Sequence, residues 1–265
     1  LAHASLLTGG WIETPTDYSR MLAEGAPALT RDFARAGWRS VAIKPGITKD
    51  WPEGRFYGYD RVYAAADLGY AGAPFNWIAM PDQYTLAAFA ARELTPGDRP
   101  PLLAEITLVS SHAPWTPLPP LLPWAEIGDG RIYTPYALAG DPPETVWRDP
   151  ARIRGQYATS IDYTLRSLAA FVAEHGRRNM LILVLGDHQP MPVVSGDTPS
   201  HDVPVHILAG DPALLAAIDG WGWTAGLRPD GSSPVWRMDT MRAKLLEAFT
   251  PEEDAVAAVR ATPPS

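Results

Sequence analysis

An aspartate and a histidine stand side by side at positions 187 and 188, after the apolar run Met180–Leu185 and Gly186. Inside a strand, neighbouring side chains point to opposite faces, but beyond its end both can turn onto one cation. Mixed oxygen and nitrogen ligation suits zinc or manganese better than calcium, so Asp187 and His188 are candidate metal ligands. A divalent ion there would polarise a phosphoryl or sulfuryl oxygen and hold an alkoxide. In the plainer alternative Asp187 caps a turn and His188 bonds to the backbone. His201, just before Asp202-Val203-Pro204, can complete the metal set or touch substrate. His112, in the segment SSHAPW, can donate to a transferring group or its leaving oxygen, or serve only to order a proline-rich loop. Trp51 and Arg55 can stack on and fork toward an anionic or sugar-like head group; equally, with Phe56, Tyr57 and Tyr59, they can pin a loop to the core. His206 alternates within a strand and reads as a core histidine, His175 as a helix-end residue, and Trp221, Trp223 and Trp236 as packing.

These residues need a frame, and the chain supplies one. Leu29–Ala36 has helical spacing, Gly37 suits the residue past a helix end, and Trp38–Lys44 reads as a buried strand. Asp82–Glu93 follows as an amphipathic helix and Pro101–Val109 as a second strand that ends at Ser110-Ser111-His112. The proline-rich stretch 114–150 is predicted to be irregular, and long irregular stretches are usually functional or mobile. Ala151–Glu174 is predicted to be a long helix closed by Gly176, and Met180–Leu185 a central parallel strand buried on both faces. Val203–Ala209 reads as another strand, Pro212–Asp219 as a short helix and Trp236–Phe249 as a final one. Helices alternating with buried strands predict an α/β fold, a three-layer αβα sandwich around a mostly parallel sheet. In such sheets the ligand site lies beyond the carboxyl ends of the strands, which is where Lys44, His112 and Asp187-His188 fall.

Composition narrows the chemistry. A net charge of -8 without Lys/Arg clusters argues against a nucleic-acid partner. An anionic substrate would then need a local positive site, most simply a metal. With no cysteine, thiolate ligands, disulfides and a cysteine nucleophile are excluded. No apolar run approaches the roughly 20 residues that span a bilayer. The chain begins LAHASLLTGG without an initiating Met, which reads as a piece of a longer protein.

The ordered set SLLTGG, TRDFARAGWRS, RFYGYDRVY, LVSSHAPW, YATSIDYTLRSLAAFV, LVLGDH and HDVPVHIL, covering Ser5 to Leu208, resembles the lipoteichoic-acid-synthase and phosphoglycerol-transferase branch of the alkaline phosphatase/sulfatase superfamily. The resemblance implies an alkaline-phosphatase-like fold and one domain over 1–265 that lacks its first strand and its nucleophile. It implies a manganese or zinc site that includes Asp187 and His188, a substrate-contacting His112, and a head-group pair Trp51 and Arg55. It also implies a bacterial, extracytoplasmic enzyme with an inner-membrane anchor N-terminal to this segment. The activity implied is hydrolysis or transfer on phosphate or sulfate esters, lipid- or glycan-linked, through a Thr or Ser upstream of Leu1, with Ser5 and Thr8 as remote substitutes. The segment alone would then be folded but inactive. The competing reading is a catalytically inactive domain that binds a glycan or lipid head group.

Overall fold

The structure is a computed structural model and describes residues 1–94, 99–177, 179–197 and 200–250. In chain order it runs α1 (Ala2–Thr8), α2 (Pro15–Glu24), α3 (Leu29–Arg35), β1 (Arg39–Lys44), α4 (Gly54–Tyr57), β2 (Arg61–Ala64) and α5 (Asp82–Glu93). There follow β3 (Leu102–Ile106), α6 (Thr134–Ala139), α7 (Pro143–Val146), α8 (Pro150–His175), β4 (Leu181–Leu185), α9 (Pro192–Ser195), β5 (Val205–Ala209), α10 (Pro212–Ala216) and α11 (Met241–Phe249). The chain divides into two compact units, one of residues 30–176 and 190–200, the other of residues 1–29, 177–189 and 201–265.

Local chemistry sets the element ends. At α2, Thr14 and Asp17 form a reciprocal capping box, Pro15 occupies the first turn, and Gly25 closes the helix at φ 75°. At α8, Asp149 accepts from the amide of Ala151 at 2.8 Å, with Pro150 just inside. Gly37 takes φ 79° between α3 and β1, the left-handed geometry that its position in the sequence predicts.

In the first unit β1 lies between β2 and β3, parallel to both, with Ala42 level with Val62 and with Glu105. Val41 and Ile43 are completely buried and share one core with Leu68, Met80, Tyr84, Leu86 and Phe89 and with Phe171 of α8. This parallel sheet with α5 and α8 packed beside it is the α/β arrangement the sequence implies. Its far end is locked by Glu93, the last residue of α5. Glu93 accepts from both Arg39 Nε (3.1 Å) and Arg39 Nη2 (2.9 Å) and from Tyr63 Oη (2.7 Å).

Burial pushes the Glu93 carboxyl up, but the bonds from Arg39 and Tyr63 together outweigh it and hold it below 4.5. A depressed carboxyl stabilises the fold above its unfolded value and loses that contribution as pH falls through its folded value. Glu93→Gln should therefore be less stable than wild type at neutral pH, by about 1–3 kcal/mol. The gap should close as pH drops below 4.5, measured by chemical unfolding at several pH values. A gap that stays constant with pH would refute the assignment.

The second unit departs from expectation in one respect. Leu181–Leu185 does not form a central parallel strand; it pairs antiparallel with β5, Leu185 opposite Val205, and is half-buried along its length. A parallel pair needs a crossover of a dozen or more residues, usually a helix, and the only helix described between β4 and β5 is the four-residue α9. An apolar run of this length fits either arrangement, so the pairing partner decides.

Candidate active site

The antiparallel pairing has a consequence for the second unit. Because β5 starts opposite the end of β4, the residues just before Val205 come beside those just after Leu185. The amide of Gly186 donates to Pro204 O (3.2 Å), and Gln189 Nε2 donates to Asp202 O, so the loop that carries His201 is tied to the loop that carries Asp187 and His188. A Cβ at Gly186 would lie in ordinary contact with Val203 Cβ, at 3.4 Å.

His188 Nδ1 lies 2.8 Å from Gln189 O. A carbonyl can only accept, so Nδ1 carries the proton and the neutral ring holds its lone pair on Nε2. That atom stands 3.7 Å from Asp187 Oδ2, with both side chains about two-thirds exposed. Metal-ligand bonds of about 2.1 Å at a tetrahedral angle put two ligand atoms about 3.4 Å apart, so the pair fits two neighbouring positions around one cation. A ligating histidine that donates its other nitrogen to a backbone carbonyl is the usual arrangement. Among the described residues no three His, Asp or Glu side chains are grouped to hold a metal; His201 is exposed and does not join the pair. The hydroxyls of Ser5 and Thr8 are engaged in structure: Thr8 Oγ1 donates to Ala4 O (2.8 Å) and accepts from Gly10 N (3.2 Å), and Ser5 Oγ accepts from Ile12 N (3.0 Å).

In the first unit His112 stands exposed beyond β3, after a turn in which its amide donates to Val109 O (3.0 Å). Its Nδ1 lies 2.8 Å from Ala113 O, which fixes the same tautomer as at His188, and the edge of Trp77 packs on its ring at 4.7 Å. Proline leaves a segment few amide donors of its own, so this loop is held through its carbonyls. Ser111 O accepts from Trp115 Nε1 (2.8 Å), Ala113 O from Trp77 Nε1 (2.8 Å) and Pro114 O from Trp147 Nε1 (3.1 Å). Trp115 O accepts from Gln156 Nε2 (2.8 Å), and Thr116 O from Asn76 Nδ2 (2.8 Å). Three indoles and two amides thus order a stretch whose sequence predicts only irregularity.

Beneath it lies a residue the sequence did not single out. Asp82, the first residue of α5, is completely buried, and its Oδ1 accepts from the amides of Val109 (2.7 Å) and Ser110 (2.9 Å) while its Oδ2 accepts from Thr164 Oγ1 of α8 (2.6 Å). Ser110 Oγ in turn accepts from the amide of Asp82 (3.0 Å). Burial raises its pKa despite these bonds. One carboxyl therefore joins the start of α5, the end of β3 and the middle of α8, two residues before His112. An aspartate at a helix start is a visible signal; its partners, distant in sequence, are not.

Trp51 and Arg55 separate in character. Trp51 is half-buried, its ring 5.9 Å from that of Tyr57 with Lys44 Nζ 5.5 Å above it, whereas Arg55 on α4 is exposed. Lys44, the last residue of β1, is buried and pairs with Glu105 (2.5 Å) and with Thr107 Oγ1 (3.2 Å), and Tyr59 Oη donates to the other Glu105 oxygen. Register places Glu105 level with Ala42, diagonal to Lys44, so the pair spans two parallel strands at their carboxyl ends. Trp51 thus packs on Tyr57 and beside Lys44, while Arg55 reaches solvent.

No family model matches the chain, and no curated protein matches it. Among solved structures, a protein of the alkaline phosphatase superfamily from Vibrio parahaemolyticus superimposes with a TM-score of 0.50 at 13% identity, over 93% of this chain and 53% of that one. The two chains share a fold. The lipoteichoic acid synthase LtaP from Listeria monocytogenes matches at a TM-score of 0.47 and 16% identity, over 72% of this chain and 44% of that one. The chain spans about half the length of the solved proteins it matches.

Proposed function

We propose that this domain belongs to a metal-dependent enzyme that hydrolyses or transfers phosphate or sulfate esters, lipid- or glycan-linked, outside the cytoplasm. The observation that carries this reading is the pair Asp187 Oδ2 and His188 Nε2, 3.7 Å apart at a strand end, with the imidazole tautomer set by Gln189 O. These two residues would hold a manganese or zinc ion, with the remaining ligands, His201 among the candidates, completing its shell. When bound, such an ion supplies Lewis-acid polarisation of a phosphoryl or sulfuryl oxygen. The hydroxyl nucleophile that the resemblance implies, a Thr or Ser, would lie N-terminal to Leu1; Thr8 Oγ1 donates to Ala4 O and Ser5 Oγ accepts from Ile12 N.

In the unit of residues 30–176 and 190–200, the resemblance implies a substrate contact for His112 and head-group contacts for Trp51 and Arg55. A membrane anchor N-terminal to this segment fits the reading; within the described residues no helix is long and apolar enough to cross a membrane. A polypeptide that includes the upstream nucleophile should hydrolyse an aryl phosphate mono- or diester only with added manganese or zinc. Absence of turnover with every divalent metal would reject the enzyme.

The lack of a three-donor group among the described residues favours a second reading, a catalytically inactive domain that binds a glycan or lipid head group. Calorimetric titration with manganese or zinc separates the two. The enzyme reading expects metal binding that weakens about 100-fold or more in Asp187→Ala. The binding-domain reading expects a ligand whose affinity is indifferent to chelator.

A further inference from the structure

In the unit of residues 30–176 and 190–200, β3 ends at Ile106 and the chain then rises from the interior to the surface. Val109 and Ser110 are buried, Ser111 is half-buried and His112 is exposed. Past the end of a strand the ladder no longer supplies partners, so buried amides need acceptors from elsewhere. Asp82 Oδ1 is that acceptor for Val109 (2.7 Å) and Ser110 (2.9 Å) together. Val109 O in turn accepts from the amide of His112 (3.0 Å). Val109 is therefore held at its amide by Asp82 and at its carbonyl by the residue that carries the imidazole.

The carboxyl is itself held from two sides. Thr164 Oγ1 of α8 donates to its Oδ2 (2.6 Å), and the amide of Asp82 donates to Ser110 Oγ (3.0 Å). With both oxygens engaged in a closed interior, its position is that of the start of α5 against the middle of α8. An apolar side chain would pack these helices together without the cost of burying a carboxyl. What the carboxyl adds is the direction of the chain at Val109 and Ser110. The indoles of Trp115, Trp77 and Trp147 grip the carbonyls of Ser111, Ala113 and Pro114, further along the loop. Asp82 grips the turn from which the His112 ring hangs.

We propose that Asp82 is a positioning residue, which sets the place and direction of the His112 imidazole through the amides of Val109 and Ser110. The proposal rests on the reading in which His112 contacts substrate, and it adds a residue that touches none. A shift of about 1 Å in a reacting group can cost on the order of 100-fold in rate, so a tie of this kind has a kinetic consequence.

Two measurements test it, and the first needs no turnover. In heteronuclear NMR of the histidine rings, the His112 signals are those lost in His112→Gln. At a pH where the ring is neutral, wild type should show the Nδ1–H tautomer that the bond to Ala113 O fixes. Asp82→Ala should mix the tautomers, whereas Asp82→Asn, which keeps an acceptor for both amides, should preserve the wild-type signals. Glu93→Gln, at the far end of the same helix, should leave them unchanged.

The second measurement is kinetic, in a polypeptide that carries the hydroxyl nucleophile. Asp82→Ala should lower kcat toward an aryl phosphate about tenfold to 100-fold with a smaller change in KM, and Asp82→Asn should recover most of that loss. In a His112→Ala background, Asp82→Ala should cost at most about twofold, because residues that act as a unit are not additive. Circular dichroism checks that the variants fold. Should the alanine variant not fold, Asp82→Ser, whose shorter side chain cannot hold both amides, takes its place with the same expected pattern. Ring signals in the folded variant identical to wild type, or an equal loss of kcat with and without His112, would overturn the proposal. Absence of turnover in wild type would reject the enzyme reading instead, and the ring signals would then decide alone.

Discussion

Asp82→Ala should lower the stability of the unit of residues 30–176 and 190–200 by about 3–5 kcal/mol, read as an earlier urea midpoint. Three donors, the amides of Val109 and Ser110 and the hydroxyl of Thr164, lose their acceptor in an interior closed to solvent. Each unsatisfied buried donor costs roughly 1–3 kcal/mol, and water that enters the space offsets part of the sum. Asp82→Asn should stay within about 1 kcal/mol of wild type, because its carbonyl keeps both amides and its NH2 can donate to a Thr164 hydroxyl turned to accept. The pH dependence discriminates further. Burial holds the Asp82 carboxyl above 3.8, so its stabilising contribution is complete below that value and is lost as pH rises through the folded one. Relative to Asp82→Asn, wild type should therefore weaken with rising pH, the opposite of the Glu93→Gln comparison at the other end of the same helix. Equal losses in the alanine and asparagine variants would show that packing, and not hydrogen bonding, is what Asp82 supplies.

The two ends of α5 also show where sequence reasoning reached and where it stopped. Its bounds, Asp82–Glu93, follow from helical periodicity between two punctuated segments, and β1 and β3 follow from short apolar runs that end in turn residues. Such signals are local and survive in a single sequence. Which residues Asp82, Glu93 and Lys44 meet is decided by chain segments 27 to 82 positions away, through register and helix packing, and no local pattern encodes that. The same limit explains β4. Apolar content marked Leu181–Leu185 as a strand, but parallel or antiparallel pairing is a property of the partner and of the connection. The correction bears on the site, since antiparallel pairing is what brings the His201 loop beside Asp187 and His188. The sequence marks the loop 110–117 as a candidate through His112. It does not mark the loop's rigidity, because that comes from indole and amide donors spread from Asn76 to Gln156.

His112→Ala, in a polypeptide that carries the hydroxyl nucleophile, should lower kcat toward an aryl phosphate about 100- to 1,000-fold with a smaller change in KM. This is the loss typical when a donor aimed at developing charge is removed. With Nδ1 donating to Ala113 O and the ring braced by Trp77, the protonated form of the side chain presents Nε2–H in a fixed direction. Leaving groups separate its two possible tasks. If Nε2 passes a proton to the departing oxygen, the loss should grow steeply from a nitrophenyl to an alkyl leaving group, because only the poorer one needs the proton. If Nε2 merely donates a hydrogen bond to a non-bridging oxygen, the loss should be nearly the same for both, and His112→Gln, which keeps a donor, should recover part of it. Trp77→Phe keeps an aromatic edge but removes the N–H that anchors Ala113 O, so its effect should stay near tenfold at most. Turnover by His112→Ala within a factor of about three of wild type, for poor and good leaving groups alike, would remove this histidine from the chemistry. The indole-braced loop would then be a purely structural feature.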